Sequence, residues 1–279
     1  MRNDRFTPPP VYQGPLQAVI FDWAGTMIDF GSCAPASVFI EAFKRHGLDI
    51  SIAEARAPMG LPKWDHIKAV LALPDVAARF EAAHGRAAAD ADVDAVYETF
   101  LPIQTGIITS HDDPIEGVPA LLERLRQRGL KIGSTTGYPR VAMDALIPAA
   151  RKKGIDPDHV VAADDLVRGR PAPLMIYDNQ VKLGVFPGAA LVKIDDTRPG
   201  IDEGLAAGCW TVALAGTGNE IAMPKAEWDA LAPADRDGRL TAARAVMAAS
   251  GAHYVIDSAA DLEPVLDDIE ARLAKGETP

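Results

Sequence analysis

The sequence predicts an α/β protein, a doubly wound, Rossmann-like parallel sheet with an all-helical cap inserted after the first strand. Three observations predict this fold. A short apolar run ends in Asp22 at a turn. After this turn, apolar residues recur at helical spacing, without a strand signal, as far as Leu101. From residue 114 onward, short apolar runs alternate with helical patterns, which is typical of a parallel sheet covered on both faces.

The first strand is predicted at residues 18–22, after a proline-rich, polar arm at residues 1–15. The segment that follows is predicted to be helical because its apolar residues fall on helix faces and are separated by Gly and Pro. These apolar residues are Val38, Phe39, Ala42, Phe43, Ile67, Val70, Leu71, Phe80, Ala83, Val93, Val96, Tyr97 and Phe100. We assign residues 32–107 to this helical cap, and residues 1–31 and 108–279 to the core.

The remaining chain is predicted to alternate between helices and strands. Helices are predicted at residues 114–128, 140–153, 172–184, 201–208 and 261–273, and strands at residues 130–135, 160–163, 190–194, 210–215 and 254–257. A Gly-x-Gly-type spacing at residues 215–218 lies after a late strand, where a dinucleotide site would not normally begin.

Composition excludes several classes of protein. A net charge of -11 argues against a general affinity for nucleic acid or anionic membranes, so an anionic ligand would need local cations. The two cysteines, Cys33 and Cys209, are too few for a disulfide framework. The chain has no apolar segment long enough to span a bilayer, and its start has no apolar signal region. We therefore expect a cytoplasmic protein.

Asp22 is the first candidate for a chemical role. A carboxylate at the carboxyl end of a buried parallel strand lies where open α/β sheets place their ligands, and it can attack phosphorus. Ala24 lies two residues later, at a position where an acidic side chain could protonate a departing oxygen. Alanine cannot donate this proton. A leaving group other than oxygen would need no such acid. The alternative is a turn or N-cap aspartate without catalytic role.

Three further strand ends carry polar residues. The hydroxyl of Thr136 can donate a hydrogen bond to a phosphate oxygen. Ser/Thr clusters at strand ends also occur in ordinary turns, which is the alternative. Arg170 precedes a helix that begins with proline, where a cation can neutralise phosphate. Asp195 and Asp196 end an apolar run and supply hard oxygen ligands that suit Mg²⁺.

Lys63 stands at a predicted helix start within the cap, among proline, methionine and tryptophan. The positive end of a helix and partial burial both lower the pKa of a lysine. The neutral amine is the form that condenses with a carbonyl to give a Schiff base. The alternative is an ordinary surface lysine.

The four strand-end elements, in this order, resemble the motifs of the haloacid dehalogenase superfamily. The resemblance implies that Asp22 is the nucleophile, that Thr136 and Arg170 bind phosphate oxygens, and that Mg²⁺ is held by Asp22, the Ala24 carbonyl and Asp196. The superfamily usually has another acid four residues after Asp196, where this chain has Gly200. Asp195 could replace that acid, and the sequence leaves this open.

Within the superfamily, the chain resembles the phosphonoacetaldehyde hydrolase family, through Asp22 to Thr26, Pro58-Met59 to His66, residues 133–138 and Gly169-Arg170-Pro171. The family often has cysteine where Ser32 stands. The resemblance implies a Schiff base on Lys63 and a homodimer formed through the cap. It also implies substrate contacts from Met59, His66, Gly137 and Tyr138, in addition to Thr136 and Arg170.

The resemblance implies cleavage of a carbon–phosphorus bond in a small phosphonate. A protonated imine next to that bond is an electron sink, so the leaving group is an enamine and needs no second acid at position 24. Two alternatives remain. A phosphatase would act on a small phosphate ester, and a silent relative would bind phosphate and Mg²⁺ without turnover.

Overall fold

The computed structural model describes residues 11–279, and six parallel strands within this range form one sheet in the order β3-β2-β1-β4-β5-β6. The strands are β1 (Ala18–Phe21), β2 (Lys131–Thr135), β3 (His159–Val161), β4 (Leu191–Asp195), β5 (Trp210–Leu214) and β6 (Tyr254–Ile256). The predicted α/β fold class is confirmed. Most of the predicted N-terminal arm, residues 1–10, lies outside the described residues.

The α-helices lie between and after the strands in the chain, and they fall into two groups. The cap contains α1 (Cys33–Arg45), α2 (Ile52–Arg56), α3 (Lys63–Leu71), α4 (Pro74–His84) and α5 (Asp90–Ile107). The core contains α6 (Val118–Gln127), α7 (Arg140–Arg151), α8 (Leu174–Leu183), α9 (Arg198–Ala206), α10 (Lys225–Ala230), α11 (Pro233–Ala248) and α12 (Glu263–Ala274).

The central strand β1 is buried on both faces because its residues are all apolar. Val19 and Phe21 pack into one large hydrophobic cluster, and Ala18 and Ile20 pack into another on the opposite face. Alternate side chains of a strand point to opposite faces, so helices cover the sheet on both sides. The register of β1 with β2 and β4 brings the carboxyl ends of the three strands to one edge.

The cap helices share a hydrophobic cluster of their own. It is built from the positions at helical spacing, including Phe39, Phe43, Ile67, Val70 and Phe100. The proposed boundaries of the cap, residues 32–107, stay a prediction, although the first five helices after β1, α1 to α5, fall within them.

Helix boundaries and two helices differ from the predictions. The helix predicted from residue 114 begins at Val118, after Gly117 adopts a left-handed conformation with φ of 82°. The helices α10 and α11 lie in a stretch to which the sequence analysis assigns no element. Their apolar faces are weak, since α11 buries only Ala243 and Met247 and α10 buries no residue. Within the described part of the chain, no helix combines the length and apolarity that crossing a membrane requires.

We expect glycine to be required inside β2 and dispensable in α5. A Cβ added at Gly133 would overlap Asn179 Oδ1 and lie 2.6 Å from Ile20 Cδ1. Overpacking of this kind lowers the free energy of unfolding by about 1–3 kcal/mol, so Gly133→Ala should do so in urea denaturation. The control Gly106→Ala lies in α5 with open space around the added methyl group. It should stabilise by about 0.5–1 kcal/mol. Equal stability of the two variants would contradict this account of the packing.

Candidate active site

Asp22 is placed by the turn that ends β1. Its N–H donates to Ile194 O of β4 (3.1 Å), which continues the sheet by one residue. The following turn needs glycine, because Gly25 has a φ of 79° and a Cβ there would overlap the Asp196 carboxylate. The buried Trp23 donates from Nε1 to Ser134 Oγ (3.0 Å) and thereby ties this turn to β2. The Asp22 carboxylate therefore lies at a fixed place on the edge of the sheet.

The predicted site residues, with the exception of His66, line one cavity between the cap and the sheet. Asp22, Ala24, Thr136, Gly137, Tyr138, Arg170 and Asp196 come from the core, and Met59 and Lys63 come from the cap. Four lining residues that the sequence analysis did not assign to the site are Ser32, Pro35, Gly60 and Thr197.

Three carboxylates meet at this edge of the sheet. Asp22, Asp195 and Asp196 are buried, and one ligand atom from each lies within 4.8 Å of the others. Burial, and then the charge of Asp195, raises the pKa of Asp22 to about 6. Burial, with Asp22 and Asp195, also raises the pKa of Asp196 well above its ordinary value.

This carboxylate cluster fits a divalent cation. Asp196 Oδ2 accepts from the Asn219 N–H (2.7 Å), whereas the buried Asp196 Oδ1 has no partner among the described residues. Hard oxygen donors that are buried and incompletely paired suit Mg²⁺. The Ala24 residue lines the same cavity, as the predicted metal site requires.

Asp195 occupies the space that an acid at position 200 would need. A Cβ added at Gly200 would overlap the Asp195 carboxylate. The Asp195 Oδ1 accepts from the Thr197 N–H (2.9 Å) and from Thr197 Oγ1 (2.6 Å), which fixes its orientation. That Asp195 substitutes for the missing acid stays a prediction.

Arg170 is buried and binds several groups of the core. Its Nη2 donates to Asp22 Oδ1 (2.8 Å) and to the Thr135 carbonyl (2.7 Å), and it lies 3.2 Å from Asp195 Oδ2. Its Nε donates to Glu203 Oε2 (3.1 Å). The guanidinium therefore holds the Asp22 carboxylate while it also faces the cavity.

A second buried cation, Lys193, was missed by the sequence analysis. Its Nζ donates to Thr135 Oγ1 (2.8 Å) and lies 3.0 Å from Asp195 Oδ2 and 3.5 Å from Glu203 Oε2. The Thr135 hydroxyl donates in turn to Glu203 (2.8 Å). A lysine in the middle of the apolar run of β4 was the signal, because a buried lysine needs anionic partners.

Lys63 is the first residue of α3 and only 5% exposed. Its Nζ lies 4.9 Å from the ring centroid of Tyr138 and 5.5 Å from that of Phe39, and it makes no hydrogen bond within residues 11–279. Burial lowers the pKa of Lys63 to about 7, since it outweighs the opposing effect of Asp22. About half of the amine is therefore neutral near pH 7.

His66 lies behind Lys63 and does not line the cavity. Its Nε2 donates to the Ala55 carbonyl (2.8 Å), and its ring stacks on Phe39 at 3.8 Å. Burial, and then Lys63, lowers the pKa of His66 well below its ordinary value. The imidazole is neutral and packs against the ring that also faces Lys63. Its predicted contact with substrate stays a prediction.

Thr136, Gly137 and Tyr138 form the wall next to β2. The Tyr138 N–H donates to Thr136 Oγ1 (3.1 Å), so the Thr136 hydroxyl hydrogen is free to donate to a ligand. A Cβ added at Gly137 would lie 2.8 Å from the Leu61 carbonyl of the cap, so glycine permits this contact. Burial, and then nearby acids including Asp29 and Asp22, raises the pKa of Tyr138 well above its ordinary value. The phenol thus stays protonated.

Comparison with known proteins agrees with this geometry. A family model described as haloacid dehalogenase-like hydrolase matches residues 16–208. A phosphonoacetaldehyde hydrolase of Bordetella pertussis is 47% identical over 95% of this chain and 96% of its own length. Another of that name, from Salmonella typhi, is 50% identical over 95% of this chain and 99% of its own.

Solved structures give the same result. A phosphonoacetaldehyde hydrolase-like protein from Oleispira antarctica superposes with a TM-score of 0.95 at 40% identity, covering 98% of this chain and 99% of its own. A β-phosphoglucomutase from Clostridium difficile, at 15% identity and a TM-score of 0.65 over 92% of this chain and 98% of its own, shares the fold. The chain therefore belongs to the haloacid dehalogenase-like hydrolases and, within them, to the phosphonoacetaldehyde hydrolase family.

Proposed function

We propose that the protein hydrolyses the carbon–phosphorus bond of 2-phosphonoacetaldehyde and releases acetaldehyde and phosphate. One observation carries the proposal. A lysine amine with a lowered pKa and a carboxylate that can attack phosphorus face the same small cavity, and no acid stands at position 24. The names of the relatives, at 47–50% identity, support the same substrate.

The reaction begins on the cap and ends on the core. The neutral amine of Lys63 condenses with the aldehyde, releases water and forms an imine, which is protonated to become the electron sink. The Asp22 carboxylate attacks phosphorus, and the electrons of the broken carbon–phosphorus bond move into the iminium to give an enamine. Protonation of the enamine carbon and hydrolysis of the imine release acetaldehyde. A second water hydrolyses the aspartyl phosphate.

Other side chains hold the phosphonate during transfer. The free hydroxyl hydrogen of Thr136 and the guanidinium of Arg170 face the cavity and donate to phosphoryl oxygens. Asp22, Asp196 and the Ala24 carbonyl would hold Mg²⁺, with Asp195 in support. When bound, Mg²⁺ supplies positive charge that offsets the phosphonate and the carboxylates. The ring of Tyr138 borders the amine, Met59 lines the same cavity, and both help to keep water away from the imine.

A homodimer formed through the cap stays part of the proposal, because the family resemblance implies it. The alternative, a phosphatase that acts on a small phosphate ester, shares the nucleophile and the metal site. It gives no role to the buried amine of Lys63, and it lacks an acid for the departing oxygen.

Turnover and covalent trapping test the reaction directly. With phosphonoacetaldehyde and Mg²⁺, the protein should release acetaldehyde and phosphate in equal amounts, and removing the metal with a chelator should abolish turnover. Borohydride should trap an adduct on Lys63, located by peptide mass spectrometry. Lys63→Met should lose both activities, whereas Lys68→Met should keep them, because Lys68 on the same helix is exposed and pairs with Asp90. Phosphate release from esters but not from the phosphonate would contradict the proposal.

The rate should fall on the acid side of neutral pH. Imine formation needs the neutral amine, and the Lys63 pKa of about 7 makes half of it neutral at that pH. The kcat/KM for phosphonoacetaldehyde should therefore drop by about tenfold per pH unit as the pH falls below 7. A steady-state pH profile measures this. A profile that stays flat down to pH 5 would show that no group with this pKa controls the reaction.

Lys63 should also lower the stability of the fold. Its pKa is lowered on folding, so the unfolded chain binds more protons between about pH 7 and pH 10.5, and stability rises with pH in this window. Lys63→Met should therefore raise the melting temperature near pH 7 and have a smaller effect near pH 10. Lys68→Met is the control that should leave it unchanged. Equal melting temperatures of Lys63→Met and the native protein at pH 7 would contradict the burial of an unfavourable charge.

Ala24 distinguishes the two candidate reactions. Ala24→Asp adds a carboxylate beside Asp22 and Asp196. It should lower phosphonoacetaldehyde turnover by about tenfold or more, because the repulsion between two neighbouring negative charges is large enough to have this effect. Ala24→Asn is the uncharged control of similar size. If the native protein is a phosphatase, Ala24→Asp should instead raise turnover of a phosphate ester such as p-nitrophenyl phosphate, because it restores the missing acid.

A further inference from the structure

The segment after β5, residues 215–223, is called here the β5 loop, and it contains the glycine spacing that no nucleotide site explains. Its Thr217 hydroxyl donates to the Gly25 carbonyl in the Asp22 turn (2.8 Å). Its Asn219 N–H donates to Asp196 Oδ2 (2.7 Å). A Cβ added at Gly218 would overlap Asp196. The glycines therefore let the backbone of the loop approach the carboxylate of the predicted metal site.

The β5 loop also binds the segment through which the chain passes from β1 into the cap. The Gly31 N–H donates to the Thr217 carbonyl (2.8 Å). Gly31 has a φ of 79°, and a Cβ there would overlap the Met223 carbonyl. The crossing from the core into α1 is therefore bound to the β5 loop through its backbone.

Arg56, at the end of α2 in the cap, completes the connection. It is 8% exposed, and its Nη1 donates to the Gly31 carbonyl (3.0 Å), the Asn219 carbonyl (3.0 Å) and Asn219 Oδ1 (3.1 Å). Hydrogen bonds from a cation to buried acceptors are stronger than neutral ones, and their loss leaves the acceptors unpaired. Arg56 does not line the active-site cavity, so it does not contact a bound substrate.

We propose that Arg56 is a positioning residue that fastens the cap to the β5 loop and, through Asn219, holds Asp196 in place for the metal. The same contact keeps Lys63, which follows Arg56 in the cap, over Asp22. This inference rests on the proposed function for the roles of Lys63 and Asp196. The contact itself exists in the free protein and is tested there.

The test compares Arg56→Met with Arg79→Met. Arg79 is a matched control, since it lies in the cap, is 41% exposed at its side chain and pairs with Glu54 (2.8 Å) without touching the core. In the free protein, Arg56→Met should speed amide hydrogen exchange at Gly31 and Asn219 and weaken the binding of Mg²⁺ alone, measured by calorimetric titration, by about tenfold. Arg79→Met should change neither. Equal behaviour of the two variants overturns the proposal.

Two further variants keep the test decisive if Arg56→Met folds poorly. Arg56→Lys keeps a cation with three donors and should recover part of the Mg²⁺ affinity, and a lack of recovery counts against the proposal. Asn219→Ala removes one acceptor while its N–H remains, so it should act in the same direction with a smaller effect. Its effect should not add to that of Arg56→Met in the double variant, whereas full additivity overturns the connection.

Activity then separates this inference from the proposed function. With phosphonoacetaldehyde, Arg56→Met should raise KM and slow borohydride trapping on Lys63, because a smaller fraction of the protein has the cap in place. If the native protein does not turn over the phosphonate, the proposed function fails. The exchange and Mg²⁺ measurements on the free protein still decide the role of Arg56.

Discussion

Buried charge at the carboxyl edge of the sheet is the constraint on which the rest of the site depends. In the described part of the chain, the cations Arg170 and Lys193 pair with three carboxylates, Asp22, Asp195 and Glu203. A fourth carboxylate, Asp196, lies beside Asp22 and Asp195. A buried charge without a partner costs several kcal/mol, so each cation is shared between carboxylates. The remaining negative charge is at Asp196, which pairs with no cation among residues 11–279 and whose Oδ1 has no hydrogen-bond partner there. A divalent metal ion is the simplest group that balances it.

The same charge balance makes a neutral lysine possible. Asp22 favours the protonated form of Lys63, and Arg170 opposes this because it pairs with Asp22 and is itself positive. Burial is the main cause of the lowered pKa of Lys63, and the guanidinium adds to it by opposing the effect of Asp22. Arg170, which we propose to hold phosphate oxygens, therefore also helps to keep the amine neutral. This balance lets the two groups that we propose as nucleophiles, the Asp22 carboxylate and the Lys63 amine, occupy one cavity.

The fold and most of the site could be predicted because each signal was local. The apolar run before Asp22, the alternation of strand and helix, and Arg170 ahead of Pro171 are all visible in short stretches of sequence. The ion network could not be predicted in full, since Glu203 lies on a helix and joins Thr135 and Lys193 only after the sheet has formed. The helix α11 was missed for a different reason, because few of its residues are apolar and buried.

The burial of Lys63 depends on how closely the cap packs against the core, and two glycines permit this close packing. A Cβ at Gly137 would press on the Leu61 carbonyl, and one at Gly169 would lie 2.6 Å from Pro62. With glycine at both positions, the backbone that leads into α3 packs directly against the sheet edge, and the first residue of the helix is buried over Tyr138. Burial there disfavours the charged amine, and the positive end of the helix acts in the same direction. The lowered pKa of Lys63 therefore depends on the packing of the cap against the core, so a cap held away from the sheet would leave an ordinary, protonated lysine.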